Sequence, residues 1–433
     1  MYIGKRAKNV YSTDYHREQY MGTISVKYLI NGKLPVISVF SGAGGLDLGL
    51  EATGIFETRC CLEVDRHSCI TLRHNRREGR RNGTHDFLSN AVVLQKDAWQ
   101  VEGEALLKAA RLHKGQVALL TGGPPCQSFS VFGRRRGMDD PRGNLMWRFV
   151  SYVKALEPEC FWLENVPGLL TVNGGETFEQ VLQALEAIQP YKVKFYVVEA
   201  ADYGVPQYRK RVFIIGSRSG IELPSTLPEL LATHGGTEQL KGDDIQMETD
   251  RLPRVCVKHA LTGLPEELGT IHNHIGRKHS DEIKNRYRNL RLGERDSATR
   301  INKLHPDRPS YTIIVGSDKG GGKGHVHPLQ PREVTPRESA RMQTFPDFWY
   351  FSGTSRHPIR QVGNAVPPVL AAVWAKYIAL NLFGIPLGTL RTTDEMLLSL
   401  GQTHLLPMFQ QPTIDTNKEA GIEALPDPEL IPV

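Results

Sequence analysis

Short apolar runs recur through the first half of the chain, each followed by a segment whose apolar residues return at helical spacing. Val36 to Phe40, Glu57 to Val64, Ala91 to Gln95, Val117 to Leu120 and Cys160 to Leu163 read as strands. Leu46, Leu48 and Leu50 mark a helix after the first strand, and Asp65 opens another after the second. Glu102 to Leu112 and Leu145 to Leu156 are amphipathic helix candidates, and Lys192 to Glu199 and Arg211 to Ile215 complete the strands. Such alternation predicts an α/β fold with a doubly wound, mostly parallel, Rossmann-like sheet. In such sheets ligands bind beyond the carboxyl ends of the strands.

The texture changes after Ser217. From 219 to 306 the alternation fades and Pro, Gly, His and Arg become frequent, which reads as a smaller inserted domain. Tyr311 to Val315 regains strand character, Pro336 to Gln343 reads as a helix, and Pro367-Pro368 opens a long apolar helix to about Leu382. The organisation expected is an N-terminal arm (1–35), a main domain (36–218), the insert (219–306), a return to the main domain (307–390) and a tail (391–433). Past Gln402 the tail is Pro-rich and aperiodic, so disorder is expected there.

Composition adds little to this picture until charge is located. The 433 residues are 40% hydrophobic and 23% charged, ordinary for a soluble globular protein, and no apolar run is long enough to span a bilayer. The six cysteines show neither a C-x-x-C pair nor metal-ligand spacing, so no metal site is expected, and Cys60 and Cys61 look like core. The net charge of +6 is modest, but arginines gather at 66–81, at 134–136 and between 277 and 308. Three basic clusters favour a polyanionic partner.

The candidate chemistry lies where strands end. FSGAGGLDLGL follows the first strand and opens a helix, with Asp47 where the dinucleotide fingerprint would carry its third glycine. Glu63 ends the second strand, where a carboxylate can hold ribose hydroxyls, and Asp97 ends the third, within reach of an adenine amino group. Together these point to an adenosine-bearing cofactor. GGPPCQSFS, from Gly122 to Ser130, presents Cys126 in a Gly-Pro corner after the fourth strand, a setting suited to a reactive thiol rather than a core one. Glu164, in FWLENVPGLL, is a carboxyl in apolar surroundings that would raise its pKa and suit it to proton transfer. Gln207, Arg209 and Arg211 alternate in QYRKR and so share one strand face.

In order, FSGAGG, Glu63, Asp97, GGPPCQSFS, ENV at 164–166, QYRKR at 207–211, RPSYTI at 308–313, RESARMQTFP and QVGNAVPP at 361–368 resemble the motifs of the DNA (cytosine-5)-methyltransferase family. The likeness runs from about Val36 to Leu382. It implies a class I methyltransferase domain with an inserted target-recognition domain, S-adenosyl-L-methionine as methyl donor, and double-stranded DNA as partner. By the same resemblance Phe40 stacks on the adenine, Glu63 holds the ribose, Asp97 meets the adenine edge, and Asn364 lies near the methionine end. Gly42 and Gly44 form the loop floor, and Leu46 and Pro124 also line the cofactor. Cys126 is the nucleophile at carbon 6 of a flipped-out cytosine, Glu164 serves ring nitrogen 3 and the amino group, Arg211 holds the carbonyl, and Arg209 supports the target phosphate.

Phe132 and the triple arginine after it depart from what relatives often carry in that loop. The cysteine pattern reads as that of a reducing cytoplasm, and a monomer associated with the nucleoid and away from membranes is expected. The resemblance leaves open a cognate restriction endonuclease that acts on the same sequence without touching this chain. A tRNA cytosine methyltransferase and a catalytically inactive DNA-binding homologue are the competing readings. Cys256 sits in RVCVKHA, outside the Cys-Phe-Thr tripeptide that the tRNA relatives carry, and the intact nucleophile and glycine loop argue against an inactive scaffold.

Overall fold

β1 (Leu34–Val39), β2 (Phe56–Glu63), β3 (Val92–Gln95), β4 (Leu119–Gly122), β5 (Cys160–Asn165), β6 (Lys192–Glu199) and β7 (Lys210–Ser217) form one sheet in the order β3-β2-β1-β4-β5-β7-β6. The computed structural model describes residues 28–125, 145–218, 221, 223, 233–235, 251–313, 315, 324–354 and 356–410. β1 to β5 are parallel, while β7 runs antiparallel to both of its neighbours. β1, β4 and β5 are buried at every position, as expected of strands covered on both faces, whereas the edge strand β6 alternates buried and exposed residues.

Two cores flank the sheet. Val36, Cys61, Trp162 and Phe213 face one side with α1 (Gly45–Ala52) and α10 (Pro368–Leu382). Ile37, Cys60, Phe161 and Ile214 face the other with α3 (Gly103–Ala110), α4 (Leu145–Leu156) and α5 (Glu176–Glu186). Neighbouring Cys60 and Cys61 thus point to opposite faces, as a period of two requires, and both are core as expected. α10 is apolar on most of its circumference because most of it is enclosed, with Lys376 and Asn381 on its half-buried side. Its Trp374 ring lies 5.3 Å from Tyr196 and 5.2 Å from Phe213.

The basic stretch at 66–81 is largely α2 (Arg66–Asn82), and part of it is structural. Arg73 donates to the Val93 carbonyl at 3.1 Å, and Arg76 donates to the Ala91 carbonyl, so two of its arginines cover the edge strand β3. Counting every arginine here towards a polyanion overstates the cluster.

Two expectations change. Tyr311 to Ile313, expected to begin a strand, is irregular, and only the preceding Ser310 pairs, in a parallel bridge with Gln207. Contacts also cross position 306, the expected end of the insert. Around β8 (His234–Gly235), β9 (Leu252–Pro253), α6 (Val257–Leu261) and α7 (Asp281–Asn289), two small clusters join Val257, Ala260 and Leu304 to Val334, and Tyr287 and Ile301 to Val326. Backbone bridges from Lys303 to Val326 and from Val326 to Glu333 tie residues to about 334 to this unit. The tail is also ordered just past Gln402, to residue 410, and residues 411–433 lie outside the described residues. After α8 (Pro336–Met342), α9 (Arg356–Asn364) and α10, α11 (Thr393–Ser399) and a 3-10 turn (Thr403–Met408) bury Leu397, Leu400 and Leu405. These leucines give the segment an apolar side that aperiodic prolines had concealed.

Candidate active site

The carboxyl edge of the sheet gathers the candidate cofactor residues. Phe40 follows β1 with φ of 56°, a left-handed conformation uncommon for a residue with a Cβ, and it turns the chain out of the strand. Gly42, with φ of 54°, donates its N–H to Oε2 of Glu63 at 2.8 Å. Oε1 of Glu63 accepts from the N–H groups of Val64 and Asp65, each at 2.8 Å. Glu63 therefore fastens the glycine loop to the end of β2. Burial raises its carboxyl pKa, and these backbone donors offset only part of that rise.

The rest of the loop is set against the core. Gly44 packs over Leu72, Leu46 is buried in α1, and Trp349 donates its indole N–H to the Ala43 carbonyl at 3.1 Å. Asp97 is exposed and caps a short turn by accepting from Trp99 N at 3.0 Å. Asn364 is exposed at the end of α9, and Pro124 is buried, its carbonyl accepting from Asn165 Nδ2 at 2.9 Å. Asp47 is fully buried and accepts from Ser38 Oγ and Thr58 Oγ1, which explains why a carboxylate replaces glycine there: it ties α1 to β1 and β2.

These residues suit a small adenosine-bearing group. No atom lies within 4 Å of the position a Cβ on Gly42 would take, so the loop surface there is open. Glu63 Oε2 receives one N–H and keeps lone-pair capacity for a hydroxyl.

The second half of the site is built from β4, β5 and β7. QYRKR leads into β7, and a strand's first residues would normally lie far from the carboxyl edge. Because β7 is antiparallel, with Glu164 opposite Phe213 and Asn165 opposite Val212, its start lies beside the end of β5. Arg211 Nε consequently stands 2.8 Å from Oε1 of Glu164. The apolar isolation expected for Glu164 is corrected by this partner, which lay 47 positions away and on another strand. The other oxygen, Oε2, lies 2.8 Å from where a Cβ on Gly123 would be, so glycine is what leaves it room. Gly123 opens the Gly-Pro corner that leads to Cys126. Cys126, Phe132 and Arg134 to Arg136 lie outside the described residues.

Arg209 is wholly buried, and its Nη2 donates to the Ala365 carbonyl at 2.8 Å. Burial lowers its pKa well below the usual arginine range, with the Arg211 charge acting in the same direction. Gln207, Arg209 and Arg211 do share one inward side, as their alternation predicts. Gly123, Asn165 and Ser310 belong to the site's framework without having been singled out individually. The Gly-Pro corner and the residue after Glu164 were the available signals for the first two, and Ser310 is found only by its bridge to Gln207. Among the described residues no group of three or more His, Cys, Asp or Glu is placed to hold a metal ion.

A seven-stranded, mostly parallel sheet with β7 inserted antiparallel, and a site along its carboxyl edge, defines a class I methyltransferase. Residues 34–379 match the model of the C-5 cytosine-specific DNA methylase family, and the chain belongs to that family. Its members depend on S-adenosylmethionine, and the chain is a DNA (cytosine-5)-methyltransferase. The type II methyltransferase M1.HphI of Haemophilus parahaemolyticus is 34% identical over 367 residues, 81% of this chain and 88% of its own. M.AquIA of Picosynechococcus, another type II methyltransferase, is 36% identical over 263 residues, 59% of this chain and 97% of its own. Among solved structures, a protein described as a DNA modification methyltransferase encoded within an Escherichia coli prophage is similar with a TM-score of 0.58. It is 26% identical, and the likeness covers 80% of this chain and 99% of that one.

Proposed function

We propose that this chain methylates carbon 5 of a cytosine extruded from duplex DNA, with Cys126 as nucleophile. The observation that carries the reading is the buried Glu164–Arg211 pair facing Gly123, three residues before that cysteine. Carbon 5 of cytosine is a weak nucleophile until a thiolate adds at carbon 6 and places electron density on it. The Cys126 sulfur forms that bond while Oε2 of Glu164 handles the proton at ring nitrogen 3. Arg211 holds the ring carbonyl. Once carbon 5 carries the methyl group, loss of its proton restores the 5,6 double bond and expels the Cys126 thiolate.

S-adenosylmethionine, when bound, supplies the electrophilic methyl group. Phe40, Gly42, Gly44, Leu46, Glu63, Asp97, Pro124 and Asn364 are the residues that would hold it, Glu63 through the free lone pair on Oε2. The target atoms lie inside a stacked duplex, so the base must leave the stack at a cost of a few kcal/mol. We infer that the insert, in its described part 251–334, reads the target, since an irregular basic unit suits phosphate and base-edge contacts.

Cys126→Ser tests the reading. It is expected to abolish methyl transfer to unmethylated phage DNA while leaving S-adenosylmethionine affinity within about twofold. DNA carrying 5-fluorocytosine, whose carbon 5 has no removable proton after methylation, is expected to crosslink the wild type alone. Methylation by the serine variant, a crosslink at Cys160 or Cys256, or preference for tRNA over duplex DNA would refute it.

A further inference from the structure

Near the Glu164–Arg211 pair in sequence lies a set of buried polar atoms without a hydrogen-bond partner among the described residues. Gln207 is fully buried, and among the described residues neither its Nε2 nor its Oε1 has a hydrogen-bond partner. Ser310 Oγ is in the same condition. Arg209, also fully buried, has Nε and Nη1 unanswered, and only its Nη2 is engaged, by the Ala365 carbonyl. The three residues are neighbours by construction. Gln207 and Ser310 are partners in a parallel bridge, fixed by Tyr208 N to Ser310 O at 2.8 Å and Ser310 N to Pro206 O at 2.9 Å. Gln207 and Arg209 are two residues apart on an extended segment and so face the same way.

Unanswered buried amides and guanidinium groups are rare because each costs the hydration it has lost. The chemistry of the set is complementary. Arg209 can only donate, Gln207 Oε1 can only accept, and Gln207 Nε2 and Ser310 Oγ supply a further donor and a group that does both. They share a side without touching directly, which is the arrangement a bridging water satisfies.

We propose that Gln207, Ser310 and Arg209 enclose a bound-water site, and that Gln207 is through it a positioning residue for methyl transfer. The inference rests on the function proposed above. Water accepting from Arg209 Nε and Nη1 and held by Gln207 and Ser310 fixes the guanidinium plane. Arg209 in turn grips the carbonyl of Ala365, the residue after Asn364, and its backbone leads through Lys210 to Arg211. One buried hydrated cluster therefore aligns a residue of the base side with the turn that carries a residue of the cofactor side.

Gln207→Met removes both unanswered atoms at nearly constant volume. A residue that merely fills space would then leave the rate unchanged and the melting temperature equal or higher. Positioning predicts that kcat on unmethylated phage DNA falls at least tenfold, with KM for DNA and for S-adenosylmethionine within twofold. Ser310→Ala should act in the same direction, and the double variant should lose much less than the product of the two single losses, because both empty one site. A Gln207→Met rate within twofold of wild type overturns the proposal. So does a crystal structure of the wild type at high resolution with no water in hydrogen-bonding reach of Gln207 and Arg209, whatever the variants' stability. A wild type that does not methylate cytosine would sink the proposed function instead, and the water site would still be decided by that crystal structure.

Discussion

Oε1 of Glu164 and Nε of Arg211 stand 2.8 Å apart at the carboxyl edge of the sheet, each side chain 9% exposed. The pair joins the end of one strand to the start of its antiparallel neighbour. It leaves the second carboxylate oxygen turned towards Gly123.

Removing one member of a buried pair strands the other charge, at a cost of about 3–5 kcal/mol. Arg211→Met should therefore destabilise by roughly that amount. Adding Glu164→Gln in the same chain should recover most of the loss, since glutamine carries no charge to leave unpaired. Urea unfolding of the two single variants and the double variant measures this. A loss below about 1 kcal/mol for Arg211→Met would place the pair in water rather than in the fold.

Gly123→Ala sets a methyl group against Oε2 of Glu164, with the other oxygen held by Arg211. Either the carboxylate turns away or the Gly-Pro corner shifts. Overpacking of this size costs about 1–3 kcal/mol in stability. The effect on chemistry should be larger, because both responses disturb the geometry next to Cys126. The expected result is a fall of at least tenfold in single-turnover methylation. A fully active, equally stable alanine variant would show that the corner relaxes freely.

Asp47 gives a pH prediction of definite sign. Burial pushes its carboxyl up to about 6 from an ordinary 3.8, against the hydrogen bonds from Ser38 and Thr58. The fold thus binds a proton more tightly than the unfolded chain, so this residue's contribution is greatest below about pH 4 and is lost as pH rises through 6. Asp47→Asn keeps the shape and removes the charge. It should be more stable than wild type at pH 8, by on the order of 2 kcal/mol, and should lose that advantage at pH 4. Denaturant unfolding at the two pH values decides it. An advantage that is equal at both would mean that Asp47 does not titrate in this range.

The main sheet was legible because its strands are short, apolar and separated by helical spacing. β1, β2, β3, β5 and β6 fall within a residue or two of their expected spans. The direction of β7 was not legible, since a parallel and an antiparallel strand carry the same apolar run. That direction decides where Arg211 sits, so the alternation of QYRKR revealed a shared face without revealing Glu164 as its neighbour. Arg209 shows the same gap. An arginine two residues from another looks equally suited to phosphate or to a backbone carbonyl, and only burial distinguishes them. The contacts that cross position 306 were not legible either, because the bridges from Lys303 to Val326 and from Val326 to Glu333 are isolated and leave no periodic trace.

The ordered tail carries its own lesson in packing. Gly204 precedes the QYRKR segment with φ of 80°, and a Cβ there would come within 2.2 Å of the Phe409 ring. His234 of β8 stacks edge-on against the same ring at 4.7 Å, and its Nε2 meets the Met408 carbonyl at 3.0 Å. Residues beyond 379, outside the family match, thus pin the insert's small sheet to the base of β7.

Arg73 and Arg76, reaching from α2 to the carbonyls of Val93 and Ala91, have a consequence for self-association. An exposed edge strand recruits other strands through its unpaired backbone. The Val93 carbonyl of β3 and the Ala91 carbonyl just before it are already taken, by side chains that bring positive charge with them. Copies crowded along one stretch of DNA would meet positive charge at that edge in place of two free carbonyls, which disfavours strand-to-strand pairing between them.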